Sequence, residues 1–288
     1  MRQSSTGKSD TRLIRVWNKL PVIVQAIMTG LLILFVGQLP TGLIVINLQI
    51  TPNIPWFLPI ILLWLWIFWK YLNGWGWPTS RAQIRIKNLR ASKLSARVWF
   101  WSILAGGVAL MSVLGLIFVI SHHVELSSEA YKAPFNITSF PTITIVSFFL
   151  TIVITAAVIE EAAFRGYMLS KIQTRHGWLW GILITAIVFY IVHLSHAYAT
   201  IAFLPFFLLY SLLQGYLVYL TKSILPSVIL HAVGDIIILP MQYGVVKNIG
   251  EIPFIHNGWL SLILALIAVP LLYNLFRLVK RAENHNGI

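Results

Sequence analysis

Long apolar blocks are the feature of this sequence that most limits what it can form. Blocks of roughly 17 to 25 residues recur along the chain, separated by polar or Pro- and Gly-rich breaks, and about 20 apolar residues in a helix suffice to cross a bilayer. A membrane β-barrel would instead show alternating segments of about 10 residues, and no such alternation is visible. Because 58% of the 288 residues are apolar and only 10% are charged, the sequence predicts an all-α membrane protein.

The apolar blocks predict about eight transmembrane helices. Their positions are about 22–46, 56–72, 98–120, 141–160, 178–197, 200–220, 224–242 and 258–278. The first block follows basic residues but lacks a small-x-small cleavage site, so we expect a retained anchor. We expect three regions: an N-terminal membrane region over 1–140, a core of four spans over 141–245, and a final span with its tail over 246–288.

The formal net charge of +13 follows the predicted topology. With a cytoplasmic N-terminus and eight spans, 19 of the 21 basic residues fall in segments on the cytoplasmic side, and only Lys132 and Lys247 fall outside. This distribution satisfies the positive-inside rule and places both termini in the cytoplasm. Membrane topology therefore explains the net charge, and no nucleic-acid partner is expected. We expect a multi-pass protein, in contact with lipid, in a bacterial cell membrane.

The basic segment from Thr79 to Arg97 allows two interpretations. Its Ile and Leu residues among Arg and Lys fit an amphipathic segment on the inner leaflet, and a solvated basic loop fits equally well. The chain contains no cysteine. Disulfides, thiolate metal sites and a cysteine nucleophile are therefore excluded.

Five ionisable side chains lie within or at the edge of apolar blocks. A charge at the centre of a transmembrane helix costs about 2.5–3.5 kcal/mol on insertion scales, and such residues are usually kept for function. The five are Glu160, Glu161, His193, His231 and Asp235. His196 follows one turn after His193, near the predicted outer end of its helix, and we expect it to serve packing or to lie in the interface.

The spacing of these residues predicts a common geometry. Residues four apart share one face of a helix, and three such pairs occur: Glu161 with Arg165, Phe189 with His193, and His231 with Asp235. We expect the helix that contains Glu160 to form an antiparallel hairpin with the next helix, turning near residues 176 and 177. Reflection about residue 176 places His193 level with residue 159. Glu160 and His193 are then expected to face each other, with His231 at a matching depth.

Three motifs in this order resemble those of a known family. The segments Glu-Glu-Ala-Ala-Phe-Arg (160–165), Phe-Tyr-Ile-Val-His (189–193) and His-Ala-Val-Gly-Asp (231–235) resemble the Glu-Glu-x-x-x-Arg, Phe-x-x-x-His and His-x-x-x-Asn/Asp motifs of the CPBP intramembrane proteases. That family contains the type II CAAX prenyl endopeptidases and bacterial proteins linked to bacteriocin processing and self-immunity. The resemblance implies an eight-helix bundle with a cavity open toward the cytosol, in which a peptide bond is hydrolysed near the cytoplasmic membrane face.

The resemblance also implies a role for each site residue. Glu160 would be the general base that activates water, and His193 would help to hold that water. Glu161 and Arg165 would form a supporting pair. His231 together with Asp235 would stabilise the oxyanion. A peptide or protein substrate, with or without a lipid anchor, is the implied partner.

Asp235 and the cofactor leave alternatives open. An ionised Asp235 only accepts hydrogen bonds and would repel an oxyanion that an asparagine could bind. It is therefore protonated, or it orients His231, or it belongs to a metal site. Glu160, His193 and His231 form a feasible zinc ligand set with one open position, and the sequence does not choose between a metal and direct use of the glutamate.

Two other functions compete with the protease. Intramembrane Glu, His and Asp residues also occur in ion- or proton-coupled transporters, although inverted repeats and helices broken at the midplane would then be expected. A catalytically silent immunity or scaffold protein could use the same fold to bind a bacteriocin or its receptor. The complete set of motifs favours the enzyme.

Overall fold

The computed structural model describes residues 12–124, 135–196, 199–243, 245 and 253–285. Lys132 and Lys247, the two basic residues expected on the outer side, lie outside the described residues. All regular structure within the described ranges is helical, which confirms the all-α membrane fold. The helices are α1 (Arg12–Lys19), α2 (Val22–Gln38), α3 (Gly42–Ile50), α4 (Phe57–Leu72), α5 (Ala82–Leu89), α6 (Ala96–His123), α7 (Thr142–Glu160), α8 (Leu169–His193), α9 (Leu204–Thr221), α10 (Leu225–Gln242), α11 (Pro253–His256) and α12 (Trp259–His285).

Six segments of the described chain are long and apolar enough to cross a membrane. They are Val22–Ile50, Ala96–His123, Thr142–His193, Ile201–Thr221, Leu225–Gln242 and Trp259–Ala282, and Phe57–Leu72 is a shorter apolar helix. Thr142–His193 has 52 residues, far more than one crossing needs. Counting it as two crossings and adding Phe57–Leu72 would match the eight predicted spans, and their exact number stays a prediction. The side of the membrane on which the termini lie stays a prediction.

The predicted hairpin between α7 and α8 is present. Gly177 has φ 79° and ψ 168° and interrupts the helical backbone of α8. This conformation is open to glycine and strongly disfavoured for other residues. The chain therefore reverses at Gly177, as predicted, and the stretch 178–193 returns along residues 161–173.

The first predicted span is broken near its middle. We expected one helix over about 22–46, but α2 ends at Gln38, Leu39–Thr41 forms a 3-10 turn, and α3 begins at Gly42. Pro40 lies in this turn. Proline has no backbone N–H and its ring collides with the carbonyl four residues earlier, so it interrupts an α-helix.

The basic segment 79–97 contains a helix that packs against the rest of the protein, and its contact with lipid or with water stays a prediction. Within α5, Arg85 and Leu89 point inward and are 6% and 0% exposed, whereas Ile84 and Ile86 are exposed. The Arg85 guanidinium donates hydrogen bonds to five backbone carbonyls in the loop 71–78, at 2.8–3.1 Å. Arg85 thus holds this loop in place through its hydrogen bonds. In addition, α5 packs against the residues that follow Glu160.

Close packing of α2 on α7 supports the position of Glu160. A Cβ atom on Gly37 would lie 2.6 Å from Cγ2 of Ile159, whereas a Cβ on Gly42 would meet nothing within 4 Å. We expect Gly37→Ala to be less stable than Gly42→Ala by about 1–3 kcal/mol, because only the first overpacks the core. Thermal unfolding of both variants in one detergent tests this, and equal midpoints would contradict it.

Candidate active site

The ionisable residues predicted from the sequence converge at one point between α7, α8 and α10. Glu160 is the last residue of α7. Its Oε2 lies 3.9 Å from Nε2 of His193 and 4.0 Å from Nε2 of His231. These distances are too long for direct hydrogen bonds and suit a water molecule that contacts all three groups. The expected juxtaposition of Glu160 with His193, and the matching depth of His231, are both present.

The helix changes its winding directly after Glu160. Glu161–Met168 is a π-helical segment, and all eight of its residues are buried. A π-helix forms i→i+5 hydrogen bonds and is rare, but short π-helical stretches are frequent at functional sites. The sequence analysis predicted a continuous helix here, because a π-turn leaves no distinct mark on the apolar pattern.

Glu161 occupies the centre of a buried polar network. Its Oε1 lies 3.1 Å from Nη1 of Arg165, as the four-residue spacing predicted, and both side chains are fully buried. His231 Nδ1 lies 2.8 Å from the same oxygen. Ser227 donates to Glu161 Oε2, and Ser227 Oγ is also 2.9 Å from Oε1 of Gln214. Glu161 therefore links α7 to α10 as well as pairing with Arg165.

The sequence analysis missed several members of this network. It paired His231 only with Asp235 and gave no role to Ser227, Gln214 or Ser211, the last of which accepts a hydrogen bond from Arg165 Nη2 at 3.1 Å. The sequence nevertheless contains a spacing pattern that could have indicated these residues. Ser227 lies four residues before His231, and Gln214 lies three residues after Ser211, so each pair shares a helix face within an apolar block.

Both histidines direct Nε2 toward Glu160. His193 Nδ1 lies 2.8 Å from the carbonyl oxygen of Phe189, which can only accept a hydrogen bond. His193 therefore carries its proton on Nδ1, and Nε2 of the neutral ring is an acceptor. The Phe189 ring lies 4.2 Å from the His193 ring, so these residues share a face as predicted.

Asp235 lies at the edge of the cluster. Its Oδ2 is 3.6 Å from His231 Nε2, and its side chain is 22% exposed, more than those of Glu160 and His231. This distance exceeds normal hydrogen-bond length, whereas Glu161 contacts the other nitrogen of His231 at 2.8 Å. Glu161, and not Asp235, is therefore the carboxylate that orients the His231 ring.

The residues do not form a recognisable metal site. Within the described part of the chain, no group of three or more His, Asp or Glu side chains is arranged to hold a metal ion. Glu160, His193 and His231, the ligand set considered from the sequence, have separations of 3.9 and 4.0 Å between the glutamate oxygen and the two nitrogens. For ligand atoms about 2.0–2.1 Å from a tetrahedral zinc, shorter separations are expected.

A cavity of about 810 Å³ adjoins the cluster and is lined mainly by apolar side chains, a size typical of sites for small organic ligands or peptide segments. Glu160, His193, His231 and Asp235 line it, and so does His196, which was expected from the sequence to serve packing or to lie in the interface. The cavity continues to Gln38, Ser121 and Tyr243, at the ends of α2, α6 and α10 that the topology predicts to be extracytoplasmic. Under the predicted topology, this is the side opposite to the cytosolic opening that the resemblance implied, and the side of the opening stays a prediction.

Comparison with known proteins identifies this region. Residues 141–237 match the family model described as type II CAAX prenyl endopeptidase Rce1-like. This region is an Rce1-like domain. The match includes all three motifs and confirms the resemblance to the CPBP family. No curated protein and no solved structure gives a significant match.

The Rce1-like domain gives the chain its class of activity. The family consists of intramembrane proteases, and the chain is a multi-pass integral membrane protein. The domain spans α7, the π-helical segment, α8, α9 and most of α10. All residues of the polar cluster therefore belong to the Rce1-like domain.

Proposed function

We propose that this Rce1-like protein is an endopeptidase in which Glu160 activates the attacking water. The observation that carries the proposal is the surroundings of Glu160 Oε2. This oxygen is buried, has no hydrogen-bond partner among the described residues, and faces two histidine nitrogens at 3.9 and 4.0 Å at the wall of the cavity. It is available to accept a proton from a water molecule held beside it.

The proposed reaction is a two-step hydrolysis. Glu160 takes a proton from water as the water oxygen bonds to the carbonyl carbon, and the carbonyl π electrons move onto oxygen to give a tetrahedral oxyanion. The C–N bond then breaks, and the leaving amine takes the proton from Glu160. His193 accepts a hydrogen bond from the same water through Nε2. The products are a carboxylic acid and an amine, and Glu160 is again a carboxylate.

Glu161 and Arg165 support this chemistry without touching the substrate. Glu161 accepts a hydrogen bond from His231 Nδ1, because an ionised carboxylate cannot donate. His231 can then donate from Nε2 toward the oxyanion only as an imidazolium. The carboxylates of Glu160, Glu161 and Asp235 around this ring favour the charged form by direct Coulomb attraction. The proposed role of Asp235 is thus electrostatic.

The decisive experiment compares membrane peptidomes. Cells expressing wild type, Glu160→Ala or His193→Ala at equal levels are analysed by mass spectrometry, and we expect products that are present only with wild type. Loss of processing in both variants also removes the scaffold interpretation. If both variants process peptides like wild type, the endopeptidase proposal is wrong, and uptake assays for a coupled transporter become the relevant test.

The proposed substrate is a membrane-associated peptide. The family is described by its action on prenylated CAAX sequences, so a quenched-fluorescent peptide ending in a prenylated Cys-Ala-Ala-X sequence is a suitable first probe, with the same peptide lacking the prenyl group as control. The apolar lining of the cavity is compatible with both the prenylated and the unprenylated peptide. Faster cleavage of the prenylated peptide, at matched membrane concentration, would assign lipid recognition to this protein.

The proposed reaction uses no metal, which gives a separate prediction. We expect the cleavage rate in detergent to stay within about twofold after chelation by EDTA or 1,10-phenanthroline, because Glu160 accepts the proton itself. Metal-assisted hydrolysis would instead lose activity with the ion and regain it with added zinc. A loss of cleavage activity that added zinc reverses would contradict the metal-free mechanism. Glu160, His193 and His231 would then again be the candidate zinc ligands.

A further inference from the structure

The direction of the helices around the cavity shows which end of the bundle it reaches. Three helices that begin beside basic residues contribute cavity residues near their far ends. α2 follows Lys19 and contributes Gln38, its last residue. α6 begins beside Arg97 and contributes Ser121, and α10 begins after Lys222 and contributes Gln242. The cavity therefore extends toward the helix ends that lie away from the basic segments.

The cavity also reaches the surface at that end. Ser121, Ser195 and His196 line it and are exposed. They stand near or just after the C-terminal ends of α6 and α8, and both helices begin among basic residues. No Lys or Arg lines the cavity among the described residues. The accessible end is thus poor in the basic charge that marks the cytoplasmic side.

The path from Glu160 toward the basic end is filled. Every residue of the π-helical segment Glu161–Met168 is buried, and Leu169 and Ile172 are buried after it. α2 and α5 pack against this segment. Leu89 of α5, itself 0% exposed, brings its carbonyl oxygen to 3.2 Å from the position that a Cβ on Gly166 would take. Among the described residues, close packing of this kind fills the direct path from Glu160 through the π-helical segment.

We propose that the cavity admits its peptide from the extracytoplasmic side of the membrane. The substrate is then an exported peptide, or the extracytoplasmic end of a membrane segment, that reaches Glu160 through the apolar cavity. The inference rests on the proposed endopeptidase function for its chemistry. It reverses the side of access that the family resemblance implied, and it follows from helix direction, charge placement and packing.

Cysteine labelling tests the side of access directly, because the chain contains no cysteine. Ser121→Cys and Ser195→Cys each place one thiol at the exposed end of the cavity. Ser80→Cys places one on the basic segment, where Ser80 is also exposed. Intact cells receive a membrane-impermeant maleimide, and parallel samples are permeabilised first. Wild type, without a thiol, gives the background.

The expected result is a clear division between the variants. Ser121→Cys and Ser195→Cys are labelled in intact cells to the same extent as in permeabilised cells, and Ser80→Cys is labelled only after permeabilisation. The inference is overturned if either cavity cysteine requires permeabilisation. Labelling needs no peptidase activity, so this outcome leaves the Glu160 chemistry standing, and failure of the Glu160→Ala test leaves the labelling result standing.

A buried hydroxyl in the same cavity carries a second, independent inference. Tyr210 is 5% exposed, lines the cavity, and its Oη has no hydrogen-bond partner among the described residues. The interaction with Gln214, one turn further along α9, does not reach hydrogen-bond geometry. The Tyr210 ring lies 5.5 Å from the His231 ring and 3.7 Å from the position of a Cβ on Gly234. The hydroxyl is thus an unused donor beside the His231–Asp235 face.

The geometry points to Tyr210 as a donor to the oxyanion. A carboxylate at position 235 cannot donate, whereas a neutral phenol can. As the carbonyl π electrons move onto oxygen, the Tyr210 O–H hydrogen bonds to the new negative charge without giving up its proton. This role also rests on the proposed hydrolysis, and it makes Tyr210 a further catalytic residue.

Tyr210→Phe removes only the hydroxyl and keeps the ring. We expect kcat on a cleaved peptide to fall about 10²–10³-fold with little change in KM, as for loss of one oxyanion donor. Tyr216→Phe, the same change six positions further along α9 and outside the cavity lining, is the control with unchanged kcat. In an Asp235→Asn background, where the amide can donate, the effect of Tyr210→Phe becomes smaller.

A structural role predicts different results. A buried hydroxyl without a partner is neutral or costly for stability, so Tyr210→Phe should unfold at the wild-type temperature or above. Wild-type kcat in Tyr210→Phe overturns the inference and leaves the Glu160 mechanism intact. Equal effects of Tyr210→Phe with Asp or Asn at position 235 overturn the proposal that Tyr210 supplies the donor that a carboxylate at position 235 cannot supply.

Discussion

Glu160→Gln is expected to lower kcat for peptide cleavage about 10²–10⁴-fold, the contribution typical of a general base. Glutamine keeps the size of the side chain and its acceptor oxygen but cannot take the proton from water. KM is expected to stay near the wild-type value, because the cavity that binds the peptide is unchanged. Initial rates on the purified protein in detergent, over a range of peptide concentrations, give both constants.

Two comparisons make this result specific to Glu160. Glu283→Gln makes the same chemical change near the end of α12 and is expected to cleave at the wild-type rate. Glu160→Asp keeps the carboxylate on a side chain that is shorter by one methylene group. This variant is expected to retain more activity than Glu160→Gln. If Glu160→Gln keeps wild-type kcat, Glu160 is not the base.

Arg165→Met is expected to lower the free energy of unfolding by about 3–5 kcal/mol. Arg165 and Glu161 are both 0% exposed and 3.1 Å apart, and removal of one partner leaves the other as an uncompensated buried charge. The loss of the Arg165 contact with the Phe189 ring, at 4.6 Å, adds to the effect. Thermal or denaturant unfolding in a single detergent measures the difference.

A double variant separates lost charge balance from lost packing. Glu161→Gln combined with Arg165→Met removes both charges, so the pair is expected to recover part of the stability that Arg165→Met alone loses. Arg81→Met changes an exposed arginine and is expected to stay within about 0.5 kcal/mol of wild type. If Arg165→Met unfolds like Arg81→Met, the ion pair does not stabilise the fold.

Local sequence rules predicted the features that depend on one helix or one turn. The Glu161–Arg165 pair follows from four-residue spacing, and the meeting of Glu160 with His193 follows from a hairpin that reverses at Gly177. Both need only helix geometry and a glycine that accepts positive φ. The span pattern was predictable for a similar reason, since bilayer thickness fixes the length of an apolar helix.

Features that depend on three-dimensional packing were not predictable in this way. The contact between Glu161 and His231 joins residues 70 positions apart, and the spacing of neither residue indicates the other. The π-helical segment is invisible in the apolar pattern because its residues are buried on every side. The direction of the cavity depends on how α2 and α5 close one end of the bundle, and the family motifs contain no information about that closure.

The buried link from α7 through Glu161 to α10 also determines how an inactive form of this protein should be made. A substitution at Glu161 removes a contact to His231, a contact to Ser227 and the partner of Arg165, so it reports on folding and chemistry together. Glu160 Oε2, in contrast, has no hydrogen-bond partner among the described residues. A folded variant that captures an uncleaved peptide for identification by mass spectrometry is therefore best built at Glu160, one residue earlier in the chain.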